Sequence, residues 1–280
     1  MAERSQPPAV GLGPRCAERL SLLGVTHIFP ATLPDPFPSS SSLTSNYVSS
    51  VYPYNPVFKK TLNTDTKWQE VDDNFKLCLE SNKKWAGETA KADAAFFPTS
   101  SKGQSPPILW LGCSDSRVPE TTLLGMKPGD VFTHRNIANI MHATDLSSLS
   151  VIYFAVAHLG VKHIVLCGHT SCGGVAGALG NDKLGLLDVW LQPLRELREK
   201  HADELAKLEG AEKTTYLSEL NVKAGVEVLR RNPTVIDAMK ERDLKVHGVI
   251  YDLASGTLRE IACEEHETTG SNRVAAFERK

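Results

Sequence analysis

Ile108-Leu-Trp110-Leu-Gly112-Cys113-Ser-Asp115-Ser-Arg117 is the stretch on which the fold turns. Its first five residues form a short apolar run suited to a strand buried on both faces. Two further runs of this kind follow, Asp130 to His134 and His163 to Gly168. Leu146 to Leu159, lying between them, reads as a helix with Thr144 as its N-cap. Strand–helix–strand alternation predicts an α/β domain whose central, mostly parallel sheet is flanked by helices.

Working outward, Trp68, Val71, Phe75, Leu79 and Asn82 recur at helical spacing and predict an N-terminal helical arm over 64–83. Downstream, Gly173 and Gly174 open a short helix reaching Leu179. Leu187, Trp190, Leu191, Leu194 and Leu197 mark one face of a longer helix with Pro193 as a kink. Leu217, Leu220, Ala224 and Val228 mark another, ending before Pro233. Val246 to Asp252 and Thr257 to Ile261, around Ser255-Gly256, read as a closing hairpin. The organisation is a single domain over 57–263. A Pro- and Ser-rich leader, 1–56, is expected to be disordered or targeting-like, and a polar tail over 264–280 is expected to be loosely held.

With 280 residues, 41% hydrophobic and 23% charged, the composition is that of a soluble globular protein. A net charge of -2 gives no electrostatic case for binding nucleic acid or an anionic membrane. The best apolar stretch, Val151 to Ala157, falls well short of the ~18–20 residues that span a bilayer. Six cysteines (16, 78, 113, 167, 172 and 263) do not make a secreted disulfide framework, so a reducing compartment is expected. Cytoplasmic localisation follows. A mitochondrial one is the alternative, suggested by Arg4, Arg15, Arg19 and many serines, but opposed by Glu3, Glu18 and Asp35.

Chemistry enters with His169-Thr-Ser-Cys172, which begins 56 positions after Cys113. Two thiols and an imidazole are three metal ligands, one short of a closed tetrahedral site; catalytic zinc sites keep that fourth position open. Thiolates argue against magnesium and calcium, and iron–sulfur clusters usually want four cysteines. Cys167, inside an apolar run, reads as a small core residue. Cys113 ends one strand and His169 follows another, and ligands gather at the carboxyl ends of parallel strands. Cys172 should sit in the first turn of a helix, where the N-terminus favours its thiolate. In an extended chain Asp115 and Arg117 would share a side with Cys113. A carboxylate so close to a thiolate needs a partner, and Arg117 is the obvious one. Asp115 would then either accept a hydrogen bond at the fourth position or occupy it.

These motifs resemble the β-class carbonic anhydrases. The likeness rests on Trp110-Leu-Gly112-Cys113-x-Asp115-x-Arg117 and His169-x-x-Cys172-Gly173-Gly174. It is extended by His134-Arg135-Asn136-Ile-Ala138-Asn139, by Asn82 and Trp85, and by Phe96-Phe97. It covers roughly residues 60–262. The resemblance implies one zinc ion per chain on Cys113, His169 and Cys172, and reversible hydration of carbon dioxide to bicarbonate and a proton by a zinc-bound hydroxide. Asp115 would orient the hydroxide and Arg117 would hold Asp115 ionised. Two thiolates make bound water less acidic than three imidazoles would, so hydration should be best on the alkaline side. Some members switch to a closed state in which the aspartate becomes the fourth zinc ligand, under control of a bicarbonate pocket. The residues implied for substrate or bicarbonate binding are Trp110, Gly112, Arg135, Tyr251, Gly173 and Gly174. A homodimer or tetramer is also implied, with the arm over 64–83 packed on the partner. Carbonyl sulfide and carbon disulfide hydrolases on the same fold, a non-catalytic zinc module and a cysteine-nucleophile enzyme are the rival readings.

Overall fold

A computed structural model describes residues 74–264 and 267–277. The leader over 1–56 and the first half of the arm, 64–73, lie outside the described residues. The chain enters through α1 (Asn74–Ala92) and α2 (Phe96–Ser100) and reaches β1 (Ile108–Cys113). It continues through α3 (Glu120–Leu124), β2 (Val131–Asn136), α4 (Leu146–Tyr153) and β3 (His163–His169). Four helices follow, α5 (Gly173–Leu179), α6 (Leu186–Trp190), α7 (Gln192–Lys200) and α8 (Ala202–Leu205). The long α9 (Gly210–Arg230) and α10 (Pro233–Arg242) lead into β4 (Lys245–Asp252) and β5 (Thr257–Glu260). Helix α11 (Glu267–Phe277) comes last, within the segment expected to be a loose polar tail. Arg273 ties it to the body by donating to the Arg230 carbonyl. No described helix is long and apolar enough to cross a membrane.

The strands form one sheet in the order β2-β1-β3-β4-β5. Its first four strands are parallel and β5 returns antiparallel. The expected mostly parallel sheet flanked by helices is therefore what forms, and the three apolar runs become β1, β2 and β3 within a residue or two. On one face Leu109, Leu111, Ile164, Leu166 and Ile250 are fully buried against Val222, Val226 and Leu229 of α9. Gly225 explains how a 21-residue helix comes so near the strands. A Cβ there would stand 2.4 Å from Leu166 Cδ2. The opposite face buries Trp110, Val118, Cys167 and Tyr251, with Leu123 and Leu124 packed on them. Cys167 is thus a core residue; burial pushes its thiol up to about 12, where it is inert.

Local chemistry corrects two expectations. The N-cap of α4 is Asp145, not Thr144: its carboxylate accepts from the backbone N–H groups of Ser147 and Ser148. Thr144 stands one residue too early to reach them. The helix read over 187–197 is two helices meeting at Leu191. Pro193 lies in the first turn of the second, where its missing N–H would have no helical partner anyway, so it starts a helix and does not kink one. Helix α1 is helical over the described part of the predicted arm and runs on to Ala92.

Candidate metal centre

The register of β1 against β3 brings the carboxyl ends of both strands to one end of the sheet, with Gly112 beside Cys167. Cys113 is the last residue of β1 and His169 the last of β3. After His169 the backbone turns through Ser171, which adopts a left-handed φ of 54°. A non-glycine residue in that region marks a backbone constrained by its surroundings. The turn carries Cys172 to the N-cap of α5 and back beside the imidazole. One ligand atom each from Cys113, His169 and Cys172 then lies within 4.8 Å of the others, and all three residues are buried.

The chemistry of this donor set fits a cation. His169 Nδ1 lies 2.9 Å from the Thr170 carbonyl, which can only accept, so the ring proton is on Nδ1. Nε2 is left as a bare acceptor, buried and without a hydrogen-bond partner among the described residues. An unsatisfied buried acceptor costs ~1–3 kcal/mol, a penalty that a bound cation removes. Cys113 is held well below the ordinary thiol range by a hydrogen bond from Cys172, against the opposing effect of burial. Cys172 is pushed up, by that same bond first and by burial next. The expected pull of the helix N-terminus towards the thiolate is present, through the N–H groups of Gly174 and Val175, and is opposed by the hydrogen bond shared with Cys113 and by burial.

Asp115 and Arg117 form the other wall. The chain is not extended here: Val118 N–H donates to the Asp115 carbonyl at 3.1 Å and Arg117 N–H to Asp115 Oδ1 at 2.9 Å, closing a tight turn. The turn, and not strand alternation, brings the two side chains together. Arg117 grips the carboxylate with Nε on Oδ1 at 2.9 Å and a terminal nitrogen on Oδ2 at 2.7 Å. That bidentate bond holds the Asp115 carboxyl at about 2, burial opposing. Asp115 Oδ2 is 3.9 Å from His169 Nε2. The carboxylate is therefore committed to Arg117 and stands just outside the three converging ligand atoms.

The remaining residues singled out in the sequence fall into different settings. Arg135 donates to the carbonyls of Cys113 at 2.8 Å and Asp115 at 2.5 Å, bracing the backbone of both. Its third nitrogen is 3.7 Å from Glu120. Trp110 is fully buried beneath Gly112, where a Cβ would stand 2.4 Å from its indole nitrogen. That N–H has no partner among the described residues. Tyr251 is buried in the same cluster, with its hydroxyl directed towards Gly256. Gly173 is exposed at the start of α5, and Gly174 lets that helix approach Ala138, whose Cβ would be 2.9 Å from a Cβ at 174. Beside Cys113, a mainly apolar cleft of about 670 Å³ is lined by Ser114, Asn136, His142, Leu187, Val189 and Trp190. Sequence reasoning missed Ser171, whose strained backbone no composition signal announces, and the bracing of carbonyls by Arg135.

Residues 108–258 match the family described as carbonic anhydrase. A carbonic anhydrase of Emericella nidulans is 44% identical over 185 residues, 65% of this chain and 81% of the relative. The crystal structure of the β-carbonic anhydrase CafA of Aspergillus fumigatus shares 54% identity with a TM-score of 0.74, covering 74% of this chain and all of that one. One of two tetrameric β-carbonic anhydrases from Sordaria macrospora shares 52% identity with a TM-score of 0.67, over 69% of this chain and 98% of that one. The chain belongs to the β-class carbonic anhydrases. It is thereby an enzyme, a lyase, built around a Cys–His–Cys group able to bind a metal.

Proposed function

We propose that Cys113, His169 and Cys172 hold one zinc ion and that the protein catalyses the reversible hydration of carbon dioxide to bicarbonate and a proton. The observation that carries this is the unpartnered, buried Nε2 of His169 facing two thiol sulfurs, with a clamped carboxylate 3.9 Å away. A zinc ion there would supply Lewis acidity, lowering the pKa of a water it holds, though less far than the ~7 reached with three imidazole ligands. The protein's own groups do the rest. Asp115, kept anionic by Arg117, accepts a hydrogen bond from water at the centre and so fixes which lone pair points at the substrate. A carboxyl held at about 2 is too weak a base to keep the product proton at neutral pH, so that proton leaves to solvent. The apolar cleft beside Ser114 suits a small substrate without charge. Stopped-flow hydration with parallel zinc quantitation tests the reading, and near-normal hydration by Asp115→Ala at saturating zinc would remove it.

Two further parts of the reading have separate support. The buried, unpartnered indole N–H of Trp110 favours a bicarbonate-regulated switch, because it offers a donor to an anion. Unchanged bicarbonate sensitivity in Trp110→Ala would end that idea. Strand β2 ends the sheet, and Leu146, Tyr153 and Phe154 nearby in the chain are exposed. An open sheet edge with exposed apolar side chains favours a symmetric dimer or tetramer, in keeping with the tetrameric relatives. A monomer by light scattering at assay concentration would refute it.

A further inference from the structure

Among the described residues, the hydrogen bond that aims Nε2 of the buried His169 ring runs from Nδ1–H to the carbonyl of the next residue, Thr170. An imidazole hung on a backbone carbonyl is only as well placed as that carbonyl. Metal-bound histidines are commonly oriented this way, by an acceptor on the far ring nitrogen. What fixes the Thr170 carbonyl is therefore part of the centre, although it touches no ligand atom.

Three bonds tie Thr170 to the end of β4. Its N–H donates to the Tyr251 carbonyl at 3.0 Å, extending the β3–β4 ladder one step past the His169–Tyr251 pair. Its hydroxyl donates to Asp252 Oδ1 at 3.2 Å and accepts from the Leu253 N–H at 3.0 Å. That hydroxyl is used in both directions, which leaves it one orientation. Asp252 is in turn immobilised by the β4–β5 turn. The N–H of Ala254 donates to Oδ1 at 3.1 Å and the Ser255 hydroxyl to Oδ2 at 2.7 Å. The N–H of Gly256 reaches its carbonyl at 2.8 Å. A chain of bonds thus runs from a surface turn, through Asp252 and Thr170, to the ring proton of His169. The same segment continues into Ser171, whose carbonyl accepts from Arg117 at 3.3 Å, and then into Cys172. Two metal ligands and the Asp115–Arg117 pair hang from one anchored loop.

We propose that Thr170 and Asp252 are positioning residues for the metal centre, a latch that fixes the carbonyl on which the His169 imidazole is hung. The inference rests on reading Cys113, His169 and Cys172 as metal ligands. The alternative is that the latch only closes the β4–β5 turn and contributes stability.

The test is zinc affinity of the full-length protein, measured by chelator competition, for wild type, Thr170→Val, Thr170→Ser and Asp252→Ala. Thr170→Val keeps the side-chain shape and removes both hydroxyl bonds, whereas Thr170→Ser keeps the hydroxyl. We expect Thr170→Val and Asp252→Ala to bind zinc about 10–100-fold more weakly, the usual cost of losing an outer partner, with Thr170→Ser restored to near wild type. The visible bands of the cobalt(II)-substituted protein should shift in Thr170→Val and not in Thr170→Ser. Folded Thr170→Val with wild-type zinc affinity and an unaltered cobalt spectrum would overturn the latch, whatever its thermal midpoint. Should Asp252→Ala not fold, the Val and Ser pair at 170 decides alone. Wild type that takes up no zinc would instead overturn the metal reading itself, a distinct failure.

Discussion

His169 and Cys172 are buried at the two ends of a short loop tied to β4, whereas Asp115 and Arg117 stand in a turn facing solvent, with 54% of the Arg117 side chain exposed and 18% of Asp115. The first wall is held by contacts between residues some 80 positions apart, such as Thr170 and Asp252. Within the second, the bonds that join Asp115 to Arg117 and Val118 are all local. The arrangement separates two demands. Retaining a cation needs a rigid, water-free donor set, because a loosened ligand gives up the metal. Orienting a reacting water needs a carboxylate that is ionised yet reachable, and a local ion pair at the rim provides both.

Substitutions on either wall should expose that division. The largest effect belongs to the buried wall. His169→Ala or Cys172→Ser should abolish hydration and bring bound metal per chain close to zero by mass spectrometry, well beyond the ~100-fold typical of outer partners. Full metal content in either variant would break the comparison. Next comes Asp115→Ala, for which we expect kcat/KM to fall by about a hundredfold or more, the scale for removing one pre-aimed polar group, while metal content stays at wild-type level. Arg117→Ala should be milder, about fivefold or less, since an exposed ion pair is worth ~1 kcal/mol or less. Its signature is in the pH dependence. The folded-state pKa of Asp115, about 2, lies below its unfolded value near ~3.9. The Arg117 bond therefore stabilises the protein above the unfolded pKa, and that contribution fades as pH falls towards the folded one. Without Arg117 the Asp115 pKa should rise towards its ordinary value, so the stability gap between wild type and Arg117→Ala should close as pH falls from the ordinary carboxylate range towards about 2. A gap unchanged across that range in denaturant unfolding would show that Arg117 does not set the charge of Asp115. Smallest in its effect on the centre is Gly225→Ala, which drives a methyl into Leu166. It should cost about 1–3 kcal/mol of stability in thermal or denaturant unfolding and leave zinc affinity untouched.

The same contrast sorts what could be read in advance. Apolar runs of strand length identified β1 and β3, because a strand covered on both faces needs nearly every residue apolar. Strand β2 was placed by the same reading but lies at the sheet edge, half-buried throughout, with Thr133, His134 and Arg135 in it. The three ligand residues were legible because thiols and imidazole at such places have few other uses. Arg117 as the partner of Asp115 was legible from charge alone. The geometry joining them was not: strand alternation was the wrong ruler, since the chain turns at Asp115 and a hydrogen bond from Val118 replaces the extended path. The pairing of the two thiols was also hidden. The helix terminus that begins at the residue after Cys172 is visible in the sequence, but a second thiol 59 positions earlier that shares its hydrogen bond is not. The cap of α4 was read as Thr144, although Asp145 beside it is the stronger N-cap by residue type, and the backbone geometry selects Asp145.

By itself the sequence determined a parallel α/β sheet and the identity of the chemical groups, because burial periodicity and ligand chemistry are properties of residue types. Tertiary structure alone decided which nitrogen of His169 is free, that the two thiols face each other beside it, that Arg135 braces two carbonyls, and that a turn between β4 and β5 anchors the ligand loop. Those outcomes depend on distances between segments far apart along the chain. Hydrogen bonds and charge interactions change over ångströms, whereas a residue pattern carries no distance.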